Sequence, residues 1–326
     1  MSEAPRVLAL CGGVGGAKLA LGLYRLLGPR LTLVVNTGDD FTHLGLRICP
    51  DLDTVTYTLA GCVNPDTGWG RADETGQFMA ALAALGGEDW FFLGDRDLAL
   101  HVERTRRLAA GESLSGVTAA VAAAFGITAR VLPMSDQPVA TQVETDAGTL
   151  AFQHYFVRER CRPAVRGLHY QGSAQAAPHP DLLAALADET LAAVVLCPSN
   201  PWLSIDPLLA LPGARAALAT ALAPVIAVSP IVGGEAIKGP TAKIMAELGL
   251  EVSARTIADH YGDFLDCLLL DHSDAALAAD LPGSRVAATV MRSEADKVAL
   301  ARAVLEAASD CRGGKRGRGK NEMSGT

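Results

Sequence analysis

Short apolar segments, each followed by a loop of small and polar residues, are the feature that most limits what this chain can fold into. Arg6–Leu10 and Leu31–Val35 are apolar, and between them Ala17–Leu27 repeats leucine at helical spacing. A strand, a loop, a helix and a second strand in this order indicate a parallel sheet with crossover helices. The same pattern returns at Ala193–Cys197 and Val225–Val228. The sequence therefore predicts an α/β fold with a doubly wound, mostly parallel, Rossmann-like sheet.

The pattern changes in the middle of the chain, where two helices in succession are followed by a β-hairpin. The predicted segments are helices at Ala99–Ala110 and Gly116–Phe125 and hairpin strands at Val139–Thr145 and Thr149–Val157. We therefore expect a single domain over residues 1–310. Its Rossmann-like core would comprise residues 1–64 and 176–310, with an inserted α+β lobe at about 65–175.

The end of the core and the C-terminus have their own patterns. Val286–Met291 is apolar and predicts a last strand, and Ser293–Ala308 predicts a closing helix. Residues 311–326 carry five basic residues and one acidic residue among glycines, which predicts a disordered basic tail.

Composition excludes several classes of protein. With 49% hydrophobic and 20% charged residues in 326, the chain can bury a large core and is not intrinsically disordered. Apolar runs are too short for a membrane span, and the N-terminus lacks the features of a signal peptide, so we expect a cytoplasmic protein. The net charge is −8 although the tail is basic, and an acidic body argues against a nucleic-acid partner.

The loop after the first strand, CGGVGGAKLA, is rich in glycine. Its four glycines are Gly12, Gly13, Gly15 and Gly16. Glycines let backbone N–H groups approach a phosphate, and the start of the next helix favours negative charge. Neither common nucleotide motif fits, because Leu19 replaces the Ser/Thr of Walker A and Lys18 replaces the third glycine of the dinucleotide fingerprint. We predict a phosphate or nucleotide contact here; a tight turn without a ligand is the alternative.

Aspartates crowd the segments that follow the second strand, NTGDD and PDLDTV. They are Asp39, Asp40, Asp51 and Asp53. We place all four on loops at one edge of the sheet, where capping and turn formation could account for any single one. Carboxylates beside a phosphate-binding loop usually imply a bridging Mg²⁺, since anion would otherwise face anion. The sequence therefore predicts Mg²⁺ as the cofactor.

The segment LGDRDLALH contributes further charged residues. Arg96 could bind a phosphate through two hydrogen bonds, although an internal ion pair with Asp95 or Asp97 is an alternative. Asp97 is interpreted as a cap of the following helix, and His101 as a structural histidine.

Two later loops add polar groups after predicted strands. PSNP contains Ser199 and Asn200, and Asn200 suits recognition of a base or ribose edge. SPIVGGEAIKGPTAK contains Gly233 and Lys238 in a flexible, cationic, phosphate-compatible loop. Together the loops suggest two polar or anionic ligands that meet in one crevice, as is usual at the carboxyl edge of such a sheet.

Taken jointly, these loops resemble the CofD-like family of 2-phospho-L-lactate transferases of coenzyme F420 biosynthesis, called FbiA in actinobacteria. The resemblance covers most of the chain and rests on the segments CGGVGGAKLA, NTGDD, HLGLRICPDLDTVTYTLAG, TGWG, FLGDRDLALH, MSDQPVAT, PSNP, SPIVGG and KGPTAK. It implies transfer of a phospholactyl-type group from a guanosine diphosphate conjugate to the deazaflavin Fo, with release of GMP and a requirement for Mg²⁺. The carried acid derives from phospholactate, phosphoenolpyruvate or phosphoglycerate in different members, and members form homodimers.

The resemblance also implies roles for individual residues. The family's Fo-binding aspartate falls on Asp53, and Asp53, with Asp40 or Asp51, is assigned to Mg²⁺ or the ribityl chain of Fo. These three are the expected catalytic residues, and Asp53 and Asp40 are the expected metal ligands. A second Fo contact, commonly Lys or Arg, falls on Phe92, which is a departure from the family pattern. The diphosphate is assigned to the Gly12–Gly16 turn, Arg96 and Lys238, and the guanosine half to Asn200 with Ser199. On this reading, replacement of Asp53 by Ala abolishes turnover and leaves folding intact.

Two other functions remain open at this point. A regulator resembling YvcK would share the first turn and the fold and bind nucleotide sugars without catalysis. Such regulators typically carry a VADDGGSSG-like stretch where this chain has VNTGDDFTHLG. An NAD-dependent oxidoreductase would need the fingerprint that fails at Lys18, and an acid where the chain has Asn36.

Overall fold

The predicted parallel sheet is present in the computed structural model, which describes residues 5–322. Seven strands form it in the order β14-β13-β10-β9-β1-β2-β5, and every pair is parallel. The strands are, in chain order, β1 (Arg6–Cys11), β2 (Leu31–Val35), β3 (Phe41–His43), β4 (Leu46–Ile48), β5 (Arg130–Pro133), β6 (Ala140–Thr145), β7 (Gly148–Ala151), β8 (Val165–Gln171), β9 (Leu191–Leu196), β10 (Val225–Val228), β11 (Ile231–Val232), β12 (Glu235–Ala236), β13 (Cys267–Leu270) and β14 (Ser284–Val286).

Helices connect the strands and cover both faces of the sheet. They are α1 (Gly13–Leu27), α2 (Pro50–Leu59), α3 (Gln77–Ala84), α4 (Asp95–Ala109), α5 (Leu114–Ala124), α6 (Pro180–Leu186), α7 (Asp206–Leu209), α8 (Ala214–Thr220), α9 (Thr241–Glu247), α10 (Ala254–Tyr261) and α11 (Glu294–Glu322). Strands β6, β7 and β8 form a separate antiparallel sheet, and β3–β4 and β11–β12 are two-stranded antiparallel ribbons. No helix in residues 5–322 combines the length and the apolar character needed to cross a bilayer.

The doubly wound arrangement follows from strands that are apolar on both faces. In β1, Val7 and Ala9 pack with α1, α2, α5 and α11, whereas Leu8 and Leu10 pack with α6, α8 and α10. All four side chains are at most 1% exposed. A parallel strand that is buried on both sides needs a continuous apolar run, which is the pattern that the sequence shows.

The strand order reverses between β1 and β9. The chain runs from β1 to β2 on one side, and later returns to place β9 on the other side of β1. In open parallel sheets, ligands bind at the carboxyl ends of the strands where the order reverses. The loops after β1 and β9 therefore meet at the position where a ligand site is expected.

Three predicted segments differ in the structure. PDLDTV is not a loop but the start of α2, because Pro50 at the first helical position and acids in the first turn favour a helix N-terminus. The last strand ends at Val286, since Asp271 accepts hydrogen bonds from the N–H and hydroxyl of Thr289 and draws residues 287–291 away from the sheet. The second hairpin strand ends at Ala151, and a single π-helical turn follows.

Two predicted boundaries also change. Strand β5 comes from within the stretch 65–175 and pairs with β2, so the central sheet takes a strand from the segment predicted as an inserted lobe. Helix α11 runs from Glu294 to Glu322, past the predicted end at Ala308 and into the predicted tail. The sequence has no proline after Glu294 to stop that helix. Residues 323–326 of the predicted tail lie outside the described residues.

Candidate functional site

A cavity of about 500 Å³ opens at the carboxyl edge of the sheet. Its wall combines the loops after β1, β2, β9, β10 and β14 with one face of α2 and the start of α4. The predicted site residues on this wall are Gly12, Gly13, Gly15, Asp51, Asp53, Phe92, Ser199, Asn200 and Lys238. The fold thus brings together loops that are separated by almost 190 residues of sequence.

The glycine turn after β1 is locked against the loop after β9. The N–H of Gly12 donates to the Ser199 hydroxyl oxygen (3.0 Å), and that hydroxyl donates to the Gly12 carbonyl (2.8 Å). A Cβ built on Gly12 would lie 2.4 Å from an Asp51 carboxylate oxygen and 2.7 Å from the Ser204 Cβ. Glycine is required at this position because α2 and the turn that carries Ser204 both approach its Cα closely.

Asp51 fixes the other side of the same turn. Its Oδ1 accepts a hydrogen bond from the N–H of Gly13 (2.7 Å), a residue with φ of +62°, and its Oδ2 accepts one from Asn36 Nδ2 (2.9 Å). Burial raises the pKa of Asp51 to about 6, against the effect of these two donors. Asp51 therefore places a carboxylate directly beside a glycine whose backbone lies in the left-handed region.

Asp39 is the second carboxylate at this end of the cavity. Burial and the nearby Asp51 raise its pKa well above the ordinary value, and its Oδ1 has no hydrogen-bond partner in the described chain. A buried carboxylate oxygen without a donor is costly, and a bound cation would remove that cost. Asp39 and Asp51 are therefore the wall residues best placed to hold a metal ion together.

The donor set suits Mg²⁺ bound together with a ligand. Residues 5–322 contain no group of three His, Cys, Asp or Glu side chains arranged around one metal position. Mg²⁺ needs no such group, since one or two carboxylates plus substrate phosphates commonly hold it. The predicted ligands Asp40 and Asp53 are each paired with an arginine instead, so the structure favours Asp39 and Asp51 for this role.

Asp53 lies further along α2 and binds a buried arginine that sequence reasoning missed. Both oxygens of Asp53 accept from the guanidinium of Arg104, one of them from Nη1 at 3.1 Å. Both residues are buried, and although burial lowers the pKa of Arg104, the adjacent Asp53 raises it above its ordinary value. Asp97, His101 and Arg104 are spaced i, i+4 and i+7, and this helical periodicity was the signal that could have identified Arg104.

His101 completes this cluster. Its Nδ1 lies 3.7 Å from Asp53 Oδ2 and 3.5 Å from Arg104 Nη1. Burial lowers the pKa of His101 to about 4, and Arg104 adds to the effect while Asp53 opposes it. The imidazole is therefore neutral at pH 7, and one positive charge, on Arg104, faces Asp53.

Asp97 occupies the first turn of α4 and contacts the far end of α2. The Tyr57 hydroxyl donates to Asp97 Oδ1 at 2.5 Å, and the Asp97 N–H donates to Glu74 (2.8 Å). Burial, followed by the charge of Asp53, raises the pKa of Asp97 to about 7. The predicted capping role is thus only part of its setting, because its side chain also lines the cavity.

Aromatic side chains form another part of the cavity wall. They are Trp69, Trp90, Phe91, Phe92, Phe152 and Phe156. The Phe152 and Phe156 rings stack at 5.4 Å, and Phe92 and Trp69 are each 51% exposed. Phe92 therefore contributes an apolar surface where the family pattern has a cation. Exposed aromatic rings around an opening suit a flat, aromatic ligand.

Two lysines carry positive charge on the wall, of which the sequence singled out only Lys238. Lys238 Nζ donates to the Thr67 carbonyl (2.9 Å), and Lys18 Nζ donates to the Met291 carbonyl (3.1 Å). Burial lowers the pKa of Lys18, and the charge of Lys238 lowers it further. Neither ammonium group forms an ion pair with a carboxylate within residues 5–322. An anionic ligand would satisfy both lysines at once.

Asn200 can donate to a ligand through its side-chain amide nitrogen. Its Oδ1 accepts from the N–H groups of Trp202 (3.0 Å) and Leu203 (3.1 Å). Its Nδ2 is buried and has no hydrogen-bond partner in the described chain. Asn200 lines the cavity, so this amide nitrogen is available to a ligand acceptor.

Four predicted site residues do not line the cavity. Gly16 lies inside α1 against the Ser199 hydroxyl, which explains its small size without a ligand. Asp40 is buried against Arg47 (3.2 Å), and Arg96 is exposed on α4. The N–H of Gly233 donates to the carboxylate of Asp274, at 3.0 Å to Oδ2. Structural contacts or exposure therefore account for these four positions.

Comparisons with known proteins agree with this architecture. A family model described as 2-phospho-L-lactate transferase CofD matches residues 7–306. The phosphoenolpyruvate transferase of Streptomyces griseus subsp. griseus is 42% identical over 318 residues, covering 94% of this chain and 99% of that protein. The protein of the same name from Thermobifida fusca is 42% identical over 285 residues, covering 83% of this chain and 87% of its own length.

Solved structures add support for the fold alone. A crystal structure of a UPF0052 family protein from Bacillus halodurans matches with a TM-score of 0.61 at 14% sequence identity. The match covers 94% of this chain and all of that one. The family model and the relatives above extend over nearly the whole chain, including every loop that builds the cavity. The chain therefore belongs to the CofD family of transferases.

Proposed function

We propose that this protein transfers a phosphate-linked three-carbon acid from a guanosine diphosphate conjugate to the deazaflavin Fo, giving an F420-0 species and GMP. The observation that carries the proposal is the continuity of the cavity. Its wall carries glycine N–H groups, Asp39, Asp51 and two lysines together with six aromatic rings. A diphosphate and a flavin-like ring need these two chemistries side by side.

The polar residues of the wall suit the donor. Lys18 and Lys238 supply positive charge for its phosphates, and the free Nδ2 of Asn200 can donate to the nucleoside part. Mg²⁺ held by Asp39 and Asp51 would neutralise phosphate charge when it is bound. Charge neutralisation and positioning are the main needs of phosphoryl transfer, which has a loose transition state.

The aromatic residues of the wall suit the acceptor. Stacking on Trp69, Trp90 and Phe92 would hold the deazaflavin ring and direct its ribityl chain along α2 towards the glycine turn. The terminal hydroxyl would then attack the phosphorus attached to the organic acid, and GMP would leave. In this arrangement Phe92 binds the ring by apolar contact, in place of the family's charged contact.

The relatives favour one donor among the three. Several curated relatives with 38–42% identity are named phosphoenolpyruvate transferase. We therefore propose that the carried acid derives from phosphoenolpyruvate in this protein too. All three donor conjugates would bind in the same cavity. Discrimination among phosphoenolpyruvate, phospholactate and phosphoglycerate would therefore rest on side chains near the reacting phosphorus.

The test is a turnover assay with Fo, Mg²⁺ and each of the three guanylylated acids in parallel. We expect GMP release in equal amount to a new deazaflavin product, fastest with the phosphoenolpyruvate conjugate. Omission of Fo is the control, and should leave the donor intact. Tight binding of a nucleotide sugar without any GMP release from these donors would contradict the proposal and favour the YvcK-like regulator.

A further inference from the structure

Four carboxylates line the cavity, and three of them already have a structural contact or a proposed role in metal binding. Both oxygens of Asp53 bind Arg104, and Asp51 binds Gly13 and Asn36. Asp39 lies beside Asp51 at the glycine end. The fourth carboxylate is Asp97, at the N-terminus of α4.

We propose that Asp97 is the general base that accepts the proton of the attacking hydroxyl group. This inference rests on the proposed function and adds a catalytic residue to it. In the step, the hydroxyl oxygen forms a bond to phosphorus and its proton passes to an Asp97 oxygen. The bond from phosphorus to the GMP oxygen breaks, and GMP leaves with the electron pair.

The position of Asp97 follows from its contact with α2. The Tyr57 hydroxyl donates to Asp97 Oδ1. Tyr57 lies six residues beyond Asp51 on α2, which corresponds to about 9 Å along the helix axis. The Tyr57 side chain leans towards the N-terminus of α2, and the charge of Asp53 acts on Asp97, so the Asp97 carboxylate faces the middle of that helix. The loop 67–70 beside it packs on the glycine turn, since a Cβ built on Gly68 would lie 2.6 Å from Val14 Cγ1. A Cβ built on Gly70 would be 3.8 Å from Asp97 Oδ2, so this oxygen lies beside the loop that carries Trp69.

The second oxygen of Asp97 is available for a proton. Within residues 5–322, Oδ1 accepts the Tyr57 hydroxyl, and no protein group donates a hydrogen bond to Oδ2. The side chain lines the cavity, so a ligand hydroxyl can reach it from the open side. A general base must lie within hydrogen-bond reach of the proton it removes, and a ligand hydroxyl placed beside Gly70 would be within that reach of Asp97 Oδ2.

The charges around Asp97 suit this role. Burial has the largest effect on its pKa, and the carboxylates of Asp53 and Glu74 raise it as well. The Tyr57 hydrogen bond and the charge of Arg104 lower it, and the balance is a pKa of about 7. A base is most effective when its pKa lies near the working pH, because it is then both unprotonated and sufficiently basic.

The first test replaces Asp97 by Asn, which keeps the size of the side chain and an oxygen that can accept from Tyr57. We expect kcat/KM to fall by ~10²–10⁴-fold and the acidic limb of its pH profile, near pH 7 in the parent protein, to disappear. Binding of Fo, followed by deazaflavin fluorescence, should stay within about threefold. A variant that retained both the rate and the limb would overturn the assignment, as would lost Fo binding at unchanged kcat.

The second test uses Tyr57→Phe, which leaves Asp97 in place. The Tyr57 hydroxyl lowers the pKa of Asp97, so its removal should move the acidic limb to higher pH. A purely structural role of the Tyr57–Asp97 contact would change the rate without moving the limb, and that outcome would also overturn the inference. If the parent protein released no GMP with any donor, the proposed function would fail; an active parent with an unaffected Asp97→Asn variant would remove only the general base.

Discussion

Replacement of Asp53 by Ala should remove turnover and also lower the free energy of unfolding by about 3–5 kcal/mol. The second effect arises because Asp53 is the carboxylate partner of Arg104, and both side chains are buried. An isolated guanidinium charge in that position would have no compensating anion. From the sequence alone we expected intact folding, and the ion pair changes that expectation.

A double-mutant cycle separates the two effects. Arg104→Met should destabilise the protein by a similar amount, since it leaves the Asp53 carboxylate buried without its partner. The double variant Asp53→Ala, Arg104→Met should recover much of the lost stability in urea denaturation, because neither charge remains. It should stay inactive, since Asp53 is also part of the cavity wall. Recovery of turnover in the double variant would show that Asp53 serves the fold only.

Replacement of Gly12 by Ala should reduce kcat/KM by more than ~10²-fold. The added Cβ would lie 2.4 Å from Asp51 Oδ2 and 2.7 Å from Ser204 Cβ, so the turn and the start of α2 must move apart. Overpacking of this kind costs ~1–3 kcal/mol of stability, and misplacement of reacting groups by about 1 Å costs ~10²-fold in rate.

Gly45→Ala is the matched control for that variant. Gly45 has φ of +75° in the turn between β3 and β4, and a Cβ there would contact nothing within 4 Å. This change should cost a comparable ~1 kcal/mol through backbone strain and leave kcat/KM within about twofold, as measured by thermal unfolding and GMP release. Equal losses of activity in both variants would mean that the glycine turn has no specific role.

The sheet could be predicted closely because its strands are short, apolar and buried on both faces. Leu31–Val35 and Val225–Val228 were located to the residue by that criterion alone. The helix at Pro50–Leu59 was missed although Pro50 is a start signal for a helix. Its threonines and valine lower its helix propensity, and its aspartates are equally typical of a loop beside a metal ion.

The sequence predicts most residues of the site, but it does not predict the ion pairs that they form. Glycine turns and acid clusters at strand ends are local signals, and most of them line the cavity. The partner of each charge depends on how the chain folds: Arg47 pairs with Asp40 through the β3–β4 ribbon, and Arg104 pairs with Asp53 across 51 residues of sequence. Lys18 was noted only as a mismatch to known motifs, yet it lies on the wall, because a lysine in a helix has no sequence signal for the cavity it faces.

The most direct test is a crystal structure with Fo, Mg²⁺ and a non-transferable analogue of the guanylylated donor. We expect both ligands in the cavity described above, with the deazaflavin ring on Trp69, Trp90 and Phe92 and the diphosphate beside the glycine turn. The terminal hydroxyl oxygen should then lie about 3–3.5 Å from the phosphorus that it attacks. Ligands bound in separate places, with that hydroxyl out of reach of the phosphorus, would contradict this expectation.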